Sequence, residues 1–386
     1  MLAYTDYPTD GRVRREAETI AALGKYDVTV LVPKMKNRPS TCTMDGVQIT
    51  ALPTHKYQGK SNARYLLSYA DFFLRCLVLC TRLFMEKRLD ILHIHNMPDF
   101  LVFAGILPRL FGKKIILDLH DTLPETYATK FSNADSILQK IVHLEEKVSC
   151  RFAHRVICVN HVQKDAVVKR GVPPEKTVIS MNVPDPKRFT PRRAPDNTGR
   201  HPKNGFHLVY HGTLARRLGI DIAIEAVARL VAEIPGIKFH ILGSGDDAEE
   251  FVQLCRALNL NGAVQFNRKM VPIETLPPLL ETMNLGVIAN RKNAATQLML
   301  PVKMLEYMAL GIPVVAPDLE GIRHYFSDDA VRYFKAEDVE SLSDAIHDLY
   351  RHPEKAQKQA QNAGIFLQQH GWEKHRLNLI HLYETL

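Results

Sequence analysis

Lys303 and Glu306 stand three residues apart in the run LPVKMLEYMALGIPVVA at 300–316. The apolar spacing predicts a helix over 302–310, with Pro301 in its first turn, Gly311 as its stop and Pro313 opening a buried strand. Residues three apart share one helix face, here near the N-terminus. Free backbone amides and the helix dipole attract phosphate at such a place. An ordinary surface ion pair is the alternative reading. A second run, VYHGTLARRLGID at 209–221, ends a strand in a glycine turn. Gly212 lets backbone approach a phosphate closely, and Arg216 and Arg217 carry the forked donors that bind phosphate oxygens. A solvated basic loop would look the same.

Three further runs offer polar chemistry. LDLHDTLPE at 117–125 puts His120 and Asp121 just past a buried strand, where a neutral imidazole can accept or donate a hydrogen bond near pH 7. A structural His–Asp pair is the alternative. PTDGRVRRE at 8–16 is a strand-to-helix loop with Gly11 and Arg12; LHIHNMPD at 92–99 carries His95 and Asn96, with His93 expected in the core. GSGDDA at 243–248 resembles a dinucleotide fingerprint, but it does not follow the first strand, and the next strand ends in Asn267 rather than an acid. NAD binding is not expected.

These residues need elements to hold them. Short apolar runs alternate with amphipathic stretches throughout, which predicts α/β architecture: parallel sheets covered by helices. Strands are expected at 28–32, 47–51, 91–95, 114–118, 155–159 and 177–180, and again at 207–210, 238–242, 264–267, 285–288, 314–316 and 331–334. Helices are expected at 13–23, 63–87, 98–110, 136–152 and 162–170, then 219–233, 247–258, 274–281, 302–310 and 342–351. The Pro-, Asn- and Arg-rich stretch 185–204 reads as a linker. It divides a first doubly wound domain, 1–184, from a second, 205–370, leaving 371–386 as a last helix. Two such domains facing across a cleft would bind ligand beyond the carboxyl ends of their strands.

The 386 residues carry a formal charge of +8, which favours anionic partners. Basic residues are spread over loops without a nucleic-acid motif, so nucleic acid is not expected. The six cysteines show neither a CxxC pair nor zinc spacing, which fits a reducing cytoplasm. Charges at Asp10, Arg12, Arg14 and Arg15 argue against a signal peptide, and no apolar run is long enough to span a membrane. The stretch 63–87 is apolar with Asp71, Arg75 and Arg82 interrupting it. It reads as a core helix or as an interfacial helix at an acidic membrane.

Taken together the motifs resemble glycosyltransferase family 4, the retaining, GT-B-fold, nucleotide-sugar-dependent enzymes. Pro301, Lys303, Glu306, Tyr307, Met308 and Ala309 match a family subgroup, and Asp10, Arg12, Val13, Arg14, Arg15, Glu16 and Ala17 match its first loop. The resemblance implies Glu306 on the donor ribose, where the family's earlier glutamate is replaced by Leu298 and backbone near Leu300 would stand in. It implies Gly212, Arg216, Arg217 and Lys303 at the diphosphate, because Thr213 and Leu218 occupy the places of the usual cations. Arg268 would lie near the base, and His120 near the transferred sugar. Gly11, Arg12, His95, Asn96 and Asp121 would face the acceptor. No metal or other cofactor is implied. The expected partners are a nucleoside-diphosphate sugar and a glycan or lipid-linked acceptor, with peripheral association at the inner membrane face and a role in cell-envelope polysaccharide synthesis. A GT-B sugar-nucleotide epimerase and a non-catalytic binding subunit remain alternatives.

Overall fold

The computed structural model describes residues 1–34, 39–57, 61–130, 136–190, 205–260, 262–269 and 271–386. The chain forms two compact units, Met1–Asn182 with His375–Leu386, and Val183–Lys374. Most of the expected linker, 191–204, lies outside the described residues.

The first unit is built on β1 (Leu2–Ala3), α1 (Gly11–Ala21), β2 (Thr29–Lys34), β3 (Thr41–Met44), β4 (Val47–His55), α2 (Asn62–Met85), β5 (Ile91–His95), α3 (Ile106–Leu110), β6 (Lys114–Leu119), α4 (Leu123–Lys130), α5 (Ser136–Phe152), β7 (Arg155–Cys158), α6 (His161–Lys169) and β8 (Thr177–Ile179). The strand order is β3-β4-β2-β1-β5-β6-β7-β8, parallel except for the edge hairpin β3–β4. The order reverses between β1 and β5, so the loops after those strands diverge and leave a crevice at their carboxyl ends. Where sequence periodicity predicts one helix over 98–110, the chain winds as a 3-10 helix, Asp99–Gly105, before α3. The tighter turn seats Gly105 directly on the sheet: an added Cβ would lie 2.6 Å from Ile115 and 2.8 Å from Leu92.

The second unit contains β9 (His207–His211), α7 (Ile220–Leu230), β10 (Lys238–Leu242), α8 (Ala248–Ala257), β11 (Val264–Asn267), α9 (Leu276–Leu280), β12 (Leu285–Val287), α10 (Ala294–Gln297), α11 (Val302–Ala309), β13 (Val314–Pro317), α12 (Glu320–Arg323), β14 (Arg332–Phe334), α13 (Val339–Arg351) and α14 (Pro353–Gln369). Its sheet, β11-β10-β9-β12-β13-β14, is wholly parallel and reverses between β9 and β12. Helix α14 escapes a periodicity reading because three of its buried residues are alanines, Ala356, Ala360 and Ala363, within a polar sequence. Helix α15 (Trp372–Glu384) packs Leu379, Leu382 and Tyr383 into the first unit's core beside α1.

Tyr307 of α11 lies flat against β12 because residue 286 has no side chain: a Cβ on Gly286 would stand 2.3 Å from the ring. Both positions are within the core, where the ring cannot retreat. Gly286→Ala should therefore lower unfolding free energy by about 1–3 kcal/mol in urea titration. An unchanged midpoint would mean that the ring moves aside freely.

Candidate functional site

In the second unit, β9 delivers His211 and Gly212 to the switch point, and α11 brings Lys303, Glu306 and Tyr307 against them. His211 Nε2 is 2.7 Å from Glu306 Oε2, and its Nδ1 is 2.9 Å from the Tyr307 hydroxyl. That hydroxyl oxygen already accepts the His211 backbone N–H at 3.1 Å. The Glu306 carboxylate takes the hydrogen on Nε2, which leaves Nδ1 of the neutral ring to accept the Tyr307 hydroxyl proton; the tautomer is assigned by this network. One imidazole thus fixes one carboxylate oxygen at the first turns of α11.

Lys303 is tucked over Tyr210. Its Nζ sits 4.0 Å from the ring centroid and donates to the Tyr210 hydroxyl at 2.7 Å, which in turn donates to the Thr213 carbonyl at 2.6 Å. Burial pushes the ammonium down to about 7, against the pull of Glu306; Arg217 pushes it the same way as burial. Gly212, at φ +111°, leaves the space this lysine uses: a Cβ there would meet Nζ at 3.2 Å. Arg217, exposed on the following 3-10 turn, acts electrostatically on both Tyr210 and Lys303. Arg216 turns elsewhere, with its side chain 3.8 Å from Glu250 and its backbone N–H on Asp247. Arg268 pairs with Glu249 at 3.3 Å. Leu300 lies in the loop entering α11, whose neighbour Met299 is seated on α12 by the close approach of Gly321.

The GSGDDA turn has a packing role. A Cβ on Gly243 would stand 1.8 Å from the Gly212 carbonyl oxygen, and one on Gly245 2.1 Å from that of Leu214. Two glycines thus let the loops after β9 and β10 abut.

The first unit assembles a different cluster. Arg12 forks onto Asp118 with Nε and Nη2, both at 2.8 Å, and Nη1 donates to the Ser180 carbonyl at 2.9 Å. Glu16 lies 3.1 Å from the same guanidinium. Burial alone would raise the Asp118 pKa, but Arg12 and His120 hold it well below the usual carboxylate range. Burial pushes the Glu16 carboxyl up to about 7 despite Arg12. His120 Nε2 is 3.1 Å from Asp118 Oδ2 and 3.2 Å from His95 Nδ1. Burial opposes its protonation, but Asp118 prevails and raises its pKa. The ligand atoms of Glu16, His93, His95 and Asp118 lie within 4.8 Å of one another, a set that could hold a metal ion. The positive charge among them is the Arg12 guanidinium.

Three residues expected at an acceptor are corrected by this geometry. Arg12 is 4% exposed, with its fork committed to Asp118. His95 is buried, bridges Asp118 and stacks on His93. Asn96 is buried and pins the next loop: its Oδ1 accepts His120 N–H at 2.7 Å, and its Nδ2 donates to the Asp121 carbonyl at 2.7 Å. Strand ends that carry polar residues need internal partners before they can present any outward, and these three supply them. Gly11 and Asp121 are exposed, and His120 is partly so. Reading the sequence for exposed ligands missed His211 and Tyr307; the signal available was a histidine ending a buried strand.

Removing Arg12 would leave two carboxylates buried without their cation. Arg12→Leu should cost about 3–5 kcal/mol in urea unfolding. A loss below 1 kcal/mol would show that the cluster does not depend on the guanidinium.

Comparison with known proteins places this geometry. Residues 11–182 match the family model described as glycosyl transferase 4-like domain, and 205–352 match that of glycosyl transferases group 1. The chain is 21% identical over 318 residues to chitobiosyldiphosphodolichol beta-mannosyltransferase of Candida albicans, covering 78% of this chain and 69% of that one. It is 23% identical over 272 residues to alpha-D-kanosaminyltransferase of Streptomyces kanamyceticus, covering 68% and 67%. A shorter match, 26% over 155 residues (40% of this chain, 37% of the other), is to the putative colanic acid biosynthesis glycosyltransferase WcaL of Escherichia coli. Among solved structures, sucrose-phosphate synthase from Thermosynechococcus elongatus superposes with TM-score 0.80 at 19% identity, over 100% of this chain and 97% of that one. Anabaena HepE in complex with UDP-glucose does so with TM-score 0.73 at 16% identity, over 100% and 98%. Both halves of the sequence and both sheets agree: the chain belongs to the GT4-type glycosyltransferases and has the GT-B fold.

Proposed function

We propose that the second unit binds the nucleoside diphosphate of a sugar donor and that the sugar passes, with retention of configuration, to a glycan or lipid-linked acceptor held by the first. The observation that carries this reading is the cluster at the end of β9. Glu306, fixed through Oε2 by His211, offers its other oxygen to the donor ribose. Lys303, Arg217 and the amides at the start of α11 face the diphosphate. Negative charge grows on that leaving group, so fixed positive groups stabilise the transition state without a metal. His120, polarised by Asp118, stands for the group beside the reacting sugar. The complex of HepE with UDP-glucose supports a nucleotide-sugar donor, and the likeness to WcaL supports a part in polysaccharide biosynthesis. The similar proteins bear both beta and alpha in their names, which makes stereochemistry the informative assay.

Incubation with α-linked nucleoside-diphosphate sugars, followed by proton NMR, tests the reading. Expected is release of nucleoside diphosphate and an α-configured initial product, unaffected by EDTA. Glu306→Ala should lose at least about a hundredfold in kcat/KM, and His211→Phe about tenfold. A β product would overturn retention, EDTA sensitivity would overturn metal independence, and an epimerised donor would favour the epimerase. Nucleotide binding without turnover would favour a binding subunit.

Lys303 gives a pH signature. The free lysine titrates near 7, and a bound diphosphate needs it charged. Binding above pH 7 should therefore take up a proton, and affinity should fall by up to about tenfold per pH unit until the pKa of the bound lysine is reached. Calorimetry in buffers of different ionisation enthalpy measures that uptake. No uptake at pH 8 would remove Lys303 from the phosphate site.

A further inference from the structure

One face of the first unit carries apolar side chains that the fold leaves uncovered. Helices α2 and α5 both pack on the 3-10 segment Asp99–Gly105, with α3 continuing from it. Ring contacts join them: Phe73 to Phe100 at 5.6 Å, Phe84 to Phe111 at 5.4 Å and Phe103 to Phe152 at 5.0 Å. Their inner faces, through Phe72, Cys76, Cys80, Leu101 and Cys150, make the core above the sheet. Their outer faces are also apolar. On α2, Leu67, Leu74, Val78 and Met85 are 57–70% exposed. Offsets of 7, 11 and 18 residues place them within about 20° of one line along the helix. On α5, Ile137, Ile141, Leu144 and Val148 repeat the pattern, and Leu110 and Phe111 are exposed at the end of α3. Leu66, Ile106 and Leu138 on the same three helices are exposed as well, whereas the large apolar side chains exposed elsewhere among the described residues, Val231, Leu258, Ile365 and Leu377, are scattered singly.

The charges beside these stripes are mainly basic. Arg64, Arg75 and Arg82 share offsets of 11 and 18 along one flank of the α2 stripe, and Lys140, Lys147 and Arg151 follow one flank of the α5 stripe. Over 62–89, 106–114 and 136–152 there are eleven Lys and Arg against four Asp and Glu; Glu146 is buried on Arg170, while Asp71 and Glu86 pair at the surface with Arg75 and Arg82 and leave the basic excess to the other side chains. An apolar stripe edged by basic side chains on a surface helix suits the headgroup region of a bilayer: the stripe enters the acyl boundary, and the cations meet lipid phosphates. No described helix is long and apolar enough to cross a membrane. A second copy of the chain is a poorer occupant, because a two-fold contact would set this basic excess against itself.

We infer that the outer face of α2, α3 and α5 docks on an anionic lipid surface. The inference needs no sugar chemistry, so vesicle binding and sugar transfer can fail independently. The test is sedimentation of the full chain with vesicles of phosphatidylglycerol or of phosphatidylcholine alone. Expected is binding to phosphatidylglycerol at low salt, weakened about tenfold or more at high salt and on phosphatidylcholine. Leu74→Asp/Val78→Asp on α2 and Ile141→Asp/Leu144→Asp on α5 should each reduce partitioning at least about tenfold with unchanged Tm. No binding to anionic vesicles, or undiminished binding by either variant, would overturn the inference. So would a dimer in light scattering that Leu74→Asp/Val78→Asp dissolves, which would give this face to a second copy.

Discussion

The 2.7 Å contact between His211 and Glu306 is the constraint around which the second unit is organised. It joins the end of β9 to the start of α11, two elements distant in sequence. For that contact to form, Tyr307 must hold the imidazole from its other side, and it can do so only because Gly286 gives the ring room on β12. Gly212 must take a left-handed conformation so that Lys303 can lie beside the loop, and Gly243 must admit the Gly212 carbonyl. Each glycine serves one approach that a side chain would block. The carboxylate, the ammonium and the free amides of α11 consequently converge on one place at the switch point of a parallel sheet.

The first unit handles polar groups in the opposite manner. Arg12 and Glu16 of α1 meet three histidines, an asparagine and Asp118 from β5, β6 and the loops after them, and most of these groups satisfy one another inside the protein. The fork of Arg12 on Asp118 is the centre of that arrangement. It holds Asp118 ionised, and the aspartate in turn favours a protonated His120. His120 reaches the surface, so the charge of a buried pair is expressed outward through one imidazole.

Much of this was legible in the sequence. Parallel sheets, the strands at 91–95, 238–242 and 264–267, and the placing of Lys303 and Glu306 together on α11 follow from apolar spacing and from Pro and Gly punctuation. What was not legible has physical causes. Helix α14 hides its buried face in alanines. The edge strand β3 is four residues of mixed polarity, which no periodicity marks. The inward turn of Arg12, His95 and Asn96 depends on partners 23 to 168 residues away, and residue type alone does not say which way a polar side chain points. His211 was passed over for the same reason: only the fold brings it to Glu306.

The central claim is that the end of β9 and the start of α11 form a nucleoside-diphosphate site. Thermal unfolding with UDP, GDP, ADP and NAD at matched concentrations tests it most directly. A ligand at a hundred times its Kd stabilises the folded state by about 2.7 kcal/mol, a readily measured rise in Tm. Expected is a rise with one nucleoside diphosphate and none with NAD. A rise with NAD alone, or with none of the four, would contradict the claim.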